Sequence, residues 1–281
     1  MHFRAMEQSD LPQAWTLSQQ VKWPHRLEDW QQALRLGEGV VAEQEGQVVG
    51  TILGWRWGEA YATVGLVIVD EAYRGQGIGQ QLLLAMLERM PGYTVRLNAT
   101  EAGKALYEKF GFHVTGLVQQ HQCAALGEIA PVAPLAGQRL RPATAEDADL
   151  LAALDHRAHG LFRPAMVATL LNEGERVLLL QDAYGQPQGF AGLRRFGHGW
   201  LIGPVIAHDP QQARVLISTL MADLAGEFVR VDSDPRLGLC SWLTGQGLQE
   251  VDNPTVMVKG TPWVPAPGTP QAFGLLSQAM G

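Results

Sequence analysis

Arg74-Gly75-Gln76-Gly77-Ile78-Gly79-Gln80 sets glycine at alternate positions just ahead of a helical apolar repeat. Glycine tolerates backbone angles that side chains forbid, so successive N–H groups can line one concavity at the positive end of a helix dipole. Such a nest suits a phosphate. A P-loop would follow its glycines with lysine and a hydroxyl residue, but Gln80 and Gln81 stand there, so a nucleotide triphosphatase is not indicated. A dinucleotide site would need an acidic residue about twenty positions on; here the next strand, Thr94 to Asn98, ends in Asn98. What remains is Arg74-x-x-Gly77-x-Gly79, whose bland counterpart is a tight turn between a strand and a helix.

The elements that must hold this loop can be read on either side of it. Leu66-Val67-Ile68-Val69 is an unbroken apolar run ending a strand from Tyr61, while Ile78, Leu82 and Met86 recur at helical spacing. Downstream, Asn98-Ala99-Thr100 ends the next strand and Ala102 to Phe110 reads as a helix. Leu106-Tyr107-Glu108-Lys109-Phe110-Gly111-Phe112 closes that helix on a glycine before a new strand. Upstream, Phe3 to Met6 is a short strand, and Ser9-Asp10-Leu11-Pro12 caps a helix to about Gln20. An aromatic connection, Val21-Lys22-Trp23-Pro24-His25-Arg26, leads to a helix over Leu27 to Leu36. The pair Gly39–Glu43 and Gln47–Trp57 reads as antiparallel strands, with Trp55 and Trp57 packing on one face.

The glycine loop followed by Leu106-Tyr107-Glu108-Lys109-Phe110-Gly111-Phe112 resembles the GNAT superfamily of acyl-coenzyme A N-acyltransferases, over residues 2 to 120. The resemblance implies a sheet splayed at its fourth strand and acetyl-CoA as co-substrate, with pyrophosphate on Arg74, Gly75, Gln76, Gly77, Ile78, Gly79 and Gln80. It also implies that backbone groups of Val67, Ile68 and Val69 align the pantetheine and acyl group and supply an oxyanion donor, and that Asn98 binds the cofactor from the neighbouring strand. Tyr107 falls on the family's general acid; a phenol of pKa about 10 is a plausible proton donor to a departing thiolate. Its competing reading is a buried tyrosine supporting the helix. In the resembling fold the Val21–Arg26 connection lines the acceptor side, so Trp23, His25 and Trp30 are candidate substrate contacts, against ordinary aromatic packing. The general base stays open among Tyr61, Glu59, His121 and an ordered water.

The 281 residues suit two domains, and an internal repeat says what the second is. Leu140-Arg141-Pro142-Ala143-Thr144-Ala145-Glu146-Asp147 echoes Phe3-Arg4-Ala5-Met6-Glu7-Gln8-Ser9-Asp10, and Gly245-Gln246-Gly247-Leu248 echoes Lys109-Phe110-Gly111-Phe112. In the second copy, Leu201 to Ala207 takes the place of the central strand, but His208-Asp209-Pro210 follows. Asp209 is a good N-cap and Pro210 a good first helical residue, so that helix starts without a glycine nest. The tyrosine is replaced as well, by Ser241-Trp242-Leu243-Thr244. The expected fold class is thus α/β (α+β): two tandem GNAT-like domains, each a mixed, mostly antiparallel twisted sheet flanked by helices, the second degenerate, as in some bacterial tandem GNAT proteins. The expected divisions are residues 1–126 for the cofactor-binding catalytic domain, 127–137 for a proline-containing linker, 138–260 for the degenerate domain and 261–281 for a tail. In that tail Phe273, Leu275 and Leu276 dock.

A net charge of −7 disfavours wholesale nucleic-acid binding and is compatible with a cationic amine. No apolar run is long enough to span a bilayer, and no signal-peptide pattern opens the chain, so no membrane partner and a cytoplasmic location are expected. The two cysteines, Cys123 and Cys240, have no ligand-like spacing; both are read as unpaired thiols, and no metal is expected. Two functions follow: an N-acetyltransferase acting on a small-molecule or peptide amine, or a non-catalytic CoA or acyl-CoA sensor that kept the nest and lost turnover. Tyr107 speaks for the first.

Overall fold

The computed structural model describes residues 1–281. The first half runs β1 (His2–Ala5), α1 (Leu11–Gln20), α2 (Leu27–Leu36), β2 (Glu38–Gln44), β3 (Gln47–Trp57), β4 (Tyr61–Val69), α3 (Ile78–Glu88), β5 (Thr94–Ala99), α4 (Lys104–Lys109), β6 (His113–Leu117) and β7 (Gln119–Cys123). The second repeats the plan: β8 (Arg139–Pro142), α5 (Ala148–His159), α6 (Pro164–Glu173), β9 (Arg176–Gln181), β10 (Pro187–Phe196), β11 (Gly199–Ala207), α7 (Pro210–Met221), β12 (Val229–Ser233), α8 (Cys240–Gly245), β13 (Gln249–Asp252), β14 (Thr255–Lys259) and β15 (Gln271–Gly274). No helix is long and apolar enough to cross a membrane.

The strands form two mixed twisted sheets, as the tandem reading expects. One sheet has the order β1-β2-β3-β4-β5-β14-β6, the other β13-β7-β12-β11-β10-β9-β8, with β15 on β11. A division at residues 126 and 138 follows the chain but not these sheets. β14, late in the chain, lies antiparallel between β5 and β6 (Met257 against Leu97 and Val114), and β7 lies between β12 and β13 (His121 against Val231 and Glu250). Each half therefore lends the other one strand. Backbone hydrogen bonding sets a strand's neighbours whatever its sequence position, so a boundary drawn from linker composition cannot detect such an exchange.

The exchange is matched by a shared core. One apolar cluster joins Trp30, Trp55 and Leu66 of the first half to Leu151, Met166 and Met280 of the second; Ile78, Leu82 and Met86 instead pack α3 on the other face of the first sheet. The tail docks as expected: Phe273, Leu275 and Leu276 are all buried. The repeat is also visible in side chains. Arg4 donates to both oxygens of Asp10, which accepts the Glu7 N–H, and Arg141 does the same to Asp147, which accepts the Thr144 N–H.

Candidate active site

The glycine loop leaves β4 and enters α3. Asp70 opens it by accepting the Ala72 N–H (2.9 Å), and Arg74 reaches back to donate to the Val69 carbonyl (3.3 Å). Gly75 and Gly77 both sit at φ +78°, with open space where a Cβ would be, and Gly77 is the left-handed N-cap of α3. Conformation, not crowding, therefore demands glycine at these two positions. Gly79 is different: it is helical, and a Cβ there would meet Leu106 at an ordinary 3.5 Å. The helical ladder begins with the Gln81 N–H on the Gly77 carbonyl, leaving the N–H groups of Ile78, Gly79 and Gln80 as free first-turn donors. Ile78 contributes only its backbone there, since its side chain is buried under α3. This cradle fits the diphosphate that the sequence implied.

Above the loop, β4 and β5 pair in parallel only from Tyr61–Thr63 to Thr94–Arg96. Beyond that they diverge, and the β5-facing edge of Leu66–Val69 has no strand partner. At the point of divergence β4 carries a bulge: against β3, Thr51 faces Ile68 and Leu53 faces Gly65, so Leu66 and Val67 oppose Ile52 alone. Leu66 adopts φ +52°, a conformation costing a non-glycine residue on the order of 1 kcal/mol. The Thr51 hydroxyl pins it by donating to the Leu66 carbonyl (2.9 Å). Val67 and Val69 pack toward α3, Ile68 toward the other face.

Tyr107 sits on α4 in the α3-side core, edge-on to Phe112 at 5.9 Å. Burial alone pushes its phenol up to about 12, which keeps the proton on the oxygen through the neutral range.

On the opposite face of the split lies a cavity of about 390 Å³ built by both halves. Gly65 and Leu66 of β4 and Asn98 of β5 form its floor, Trp23 and His25 one wall, and Gln120, Gln122, Phe196 and Arg230 the other. Trp23 and His25, two of the candidate substrate contacts, line this cavity. Trp30 does not: it is fully buried, with its indole N–H on the Ser18 hydroxyl (3.3 Å), clamping α1 to α2. Burial, reinforced by Arg230 and Arg194 and opposed by Asp29, pushes the His25 imidazole down to about 4, so the ring is neutral near pH 7. Its Nδ1 has no hydrogen-bond partner.

Asn98 faces this cavity, where its amide N–H donates to the Gln278 carbonyl (2.7 Å) while its Oδ1 is buried without a partner. Of the open candidates for a base, Tyr61, Glu59 and His121 do not line the cavity; Asp252 is the carboxylate that does. Asp252, Gln120, Gln122, Arg230 and Gln278 escaped the sequence reading because the first four arrive on exchanged or distant strands and Gln278 on the tail. The alternation Gln120-His121-Gln122, which puts both glutamines on one strand face, is a signal for those two alone.

The same two-strand split recurs in the second half, where it is filled. β11 and β12 pair only at Trp200–Leu201 and Val229–Arg230; β15 then pairs antiparallel with β11, and the Leu275 N–H reaches the Asp232 carbonyl of β12 (2.9 Å). Gly203 admits this segment, for a Cβ there would fall 1.9 Å from the Leu275 carbonyl oxygen. Asp209 caps α7 by accepting the Gln212 N–H (2.9 Å), as expected, where the first half has its open glycine turn.

A parallel strand pair that splits, repeated along the chain and carrying a glycine cradle at its mouth in the first copy alone, is the layout of a tandem GNAT fold. Two family profiles described as acetyltransferase (GNAT) domain match this chain, at residues 36–114 and 151–270, and the chain belongs to that family as a tandem member. It is 28% identical over 221 residues to the uncharacterized N-acetyltransferase YitH of Bacillus subtilis, covering 78% of this chain and 76% of that one. A putative acetyltransferase from Pyrococcus horikoshii shares the fold across 100% of this chain and 95% of its own, with a TM-score of 0.80 at 20% identity. The tandem GNAT protein of the clavulanic acid biosynthesis pathway does so across 93% and 99%, with a TM-score of 0.63 at 16% identity.

Proposed function

We propose that this protein is an N-acetyltransferase that moves an acetyl group from acetyl-CoA directly to an amine of a small molecule or peptide. The observation that carries this reading is the Leu66 bulge. It exposes unpaired β4 backbone between two approaches, the glycine cradle on the α3 side and the two-domain cavity on the other.

Acetyl-CoA would supply an acyl thioester. The free amides of Ile78, Gly79 and Gln80, with the Arg74 side chain, would hold its diphosphate, and the open edge of Val67, Ile68 and Val69 would align its amide-bearing arm as an added strand. A backbone N–H on that edge would donate to the thioester oxygen as it gains charge. Tyr107 holds its proton at Oη for the departing thiolate, consistent with a phenol kept fully protonated by burial. On the acceptor side, Trp23 and neutral His25 would orient the amine, and Asp252, which lines the same cavity, would attract an ammonium and take up its proton. The lining of side-chain amides and aromatic rings suits a polar, hydrogen-bonding acceptor.

The test is thiol release from acetyl-CoA by the full chain across a panel of amines, beside calorimetric titration of acetyl-CoA. Amine-dependent release with one cofactor per chain is expected. Binding without release from any amine would replace this reading with that of a CoA sensor.

A further inference from the structure

A second cavity, of about 640 Å³, lies between the halves and shares no lining residue with the one over Leu66. The tail runs between them: Leu275 borders the larger cavity, Ser277, Gln278 and Ala279 the smaller. Its walls are mostly apolar, with Tyr61, Leu161, Val256 and Val258 among them, and Trp263 forms part of its roof. That roof is held in place. The Trp263 ring lies against Gly160, so closely that a Cβ there would fall 2.5 Å from it, and meets Tyr61 edge-on at 6.0 Å.

Into this apolar space β5 sends Arg96, on the same strand face as Asn98. Its Nε–H is buried with no hydrogen-bond partner. The other charged groups at this end are already satisfied. Arg236 is bidentate to Asp234 and donates to the Thr115 carbonyl. Arg163 is bidentate to Asp155 and donates to the carbonyls of Met280 and Gly281, while His159 is held by Asp155 and the Leu161 amide. Arg96 remains without an ion-pair or hydrogen-bond partner; burial, Arg163 and Arg236 push it down and Asp234 opposes them, leaving it at about 10, so it stays ionised near neutral pH. A guanidinium whose Nε–H is buried without a partner at the middle of a sheet costs stability, and most buried polar groups in native proteins are paired.

We propose that this cavity is a binding site for an amphipathic organic anion, a carboxylate on an aliphatic or aryl body, with the carboxylate on Arg96 and the body among Tyr61, Val256, Val258 and Leu275. The volume is in the range of small-molecule sites, the walls supply apolar contact, and the guanidinium fork matches a carboxylate in two hydrogen bonds. The site is separate from the proposed acetyl-transfer cleft and does not depend on that assignment.

Calorimetric titration of the full chain with 4-phenylbutanoate, and with its neutral counterpart 4-phenylbutanamide, tests it. One saturable site for the acid is expected, with the amide roughly tenfold or more weaker, as for loss of a charge-assisted hydrogen bond. Arg96→Gln should weaken the acid by a similar factor and leave the amide unchanged. Trp263→Ala, which opens the roof at a partly exposed residue, should weaken both. Equal affinity of acid and amide for the unaltered chain, or no saturable binding of the acid up to millimolar concentration, would overturn the proposal without any variant having to fold. Unchanged acid binding in a folded Arg96→Gln protein would overturn it as well.

Discussion

The β4/β5 and β11/β12 pairs begin alike and end differently. Both are short parallel contacts, three residues long in one and two in the other, that must open because each strand has a helix to feed. In the second half the opening is closed by the chain's own tail, β15 pairing with β11 and Leu275 just beyond it donating to the Asp232 carbonyl of β12, and the helix beyond is capped by Asp209. In the first half the edge of Leu66–Val69 is left unpaired, and the helix beyond begins with free amides at Gly77. A duplicated sheet with the same defect has thus been finished once by covalent chain and once left open. Unsatisfied backbone groups are costly when buried, and the open split is the one to which the proposed cofactor is assigned.

The largest way to break this contrast is at the cradle. Gly77→Val forces a branched side chain to φ +78° and should bring the heat of acetyl-CoA binding to baseline in calorimetry; retained affinity would remove the cradle from the site.

Next in size is the proton donor. Tyr107→Phe should slow turnover roughly a hundredfold while cofactor affinity barely changes, because the phenol is needed only in the chemical step. Because burial holds Tyr107 near 12, its acid form is lost only as pH rises through that value, so turnover should show no limb from this group between pH 8 and 10. Parallel losses in binding and rate would mark Tyr107 as a packing residue.

A smaller effect compares the repeated ends. Asp147 is lowered to about 2, chiefly by the Arg141 hydrogen bonds. A depressed carboxylate contributes stability above its unfolded value of 3.8 and loses it as pH falls toward 2. Asp147→Asn should therefore cost about 1 kcal/mol in neutral denaturant melts and flatten stability over that acid window. The same substitution at Asp10, lowered by Arg4, should match it, and a difference between the two would show that the repeat is no longer energetically equivalent.

The smallest expected effect is none. Asp209→Ala removes a like charge from the second helix start, yet one acetyl-CoA per chain should still be counted in titration, because β15 occupies the split. A second equivalent would show that the cap alone closes this half.

Much of this contrast was legible in the residues, and the reasons are local. Alternating glycines before Ile78, the Tyr61–Val69 strand, the Asp209-Pro210 helix start and the Arg-to-Asp repeat depend on backbone preferences and capping within a few positions, which residue type dictates directly. That the connection carrying Trp23 and His25 approaches the split was implied by the family resemblance alone, not by those residues themselves. The tertiary structure alone decided that β7 and β14 change sheets, that Leu66 is bulged to φ +52°, that β15 fills the second split and that Asn98 turns to a cavity walled by Gln120 and Arg230. A strand's hydrogen-bonding edge is the same whatever its side chains, so which strand it meets, and which gap it fills, is settled only when both halves pack into one core.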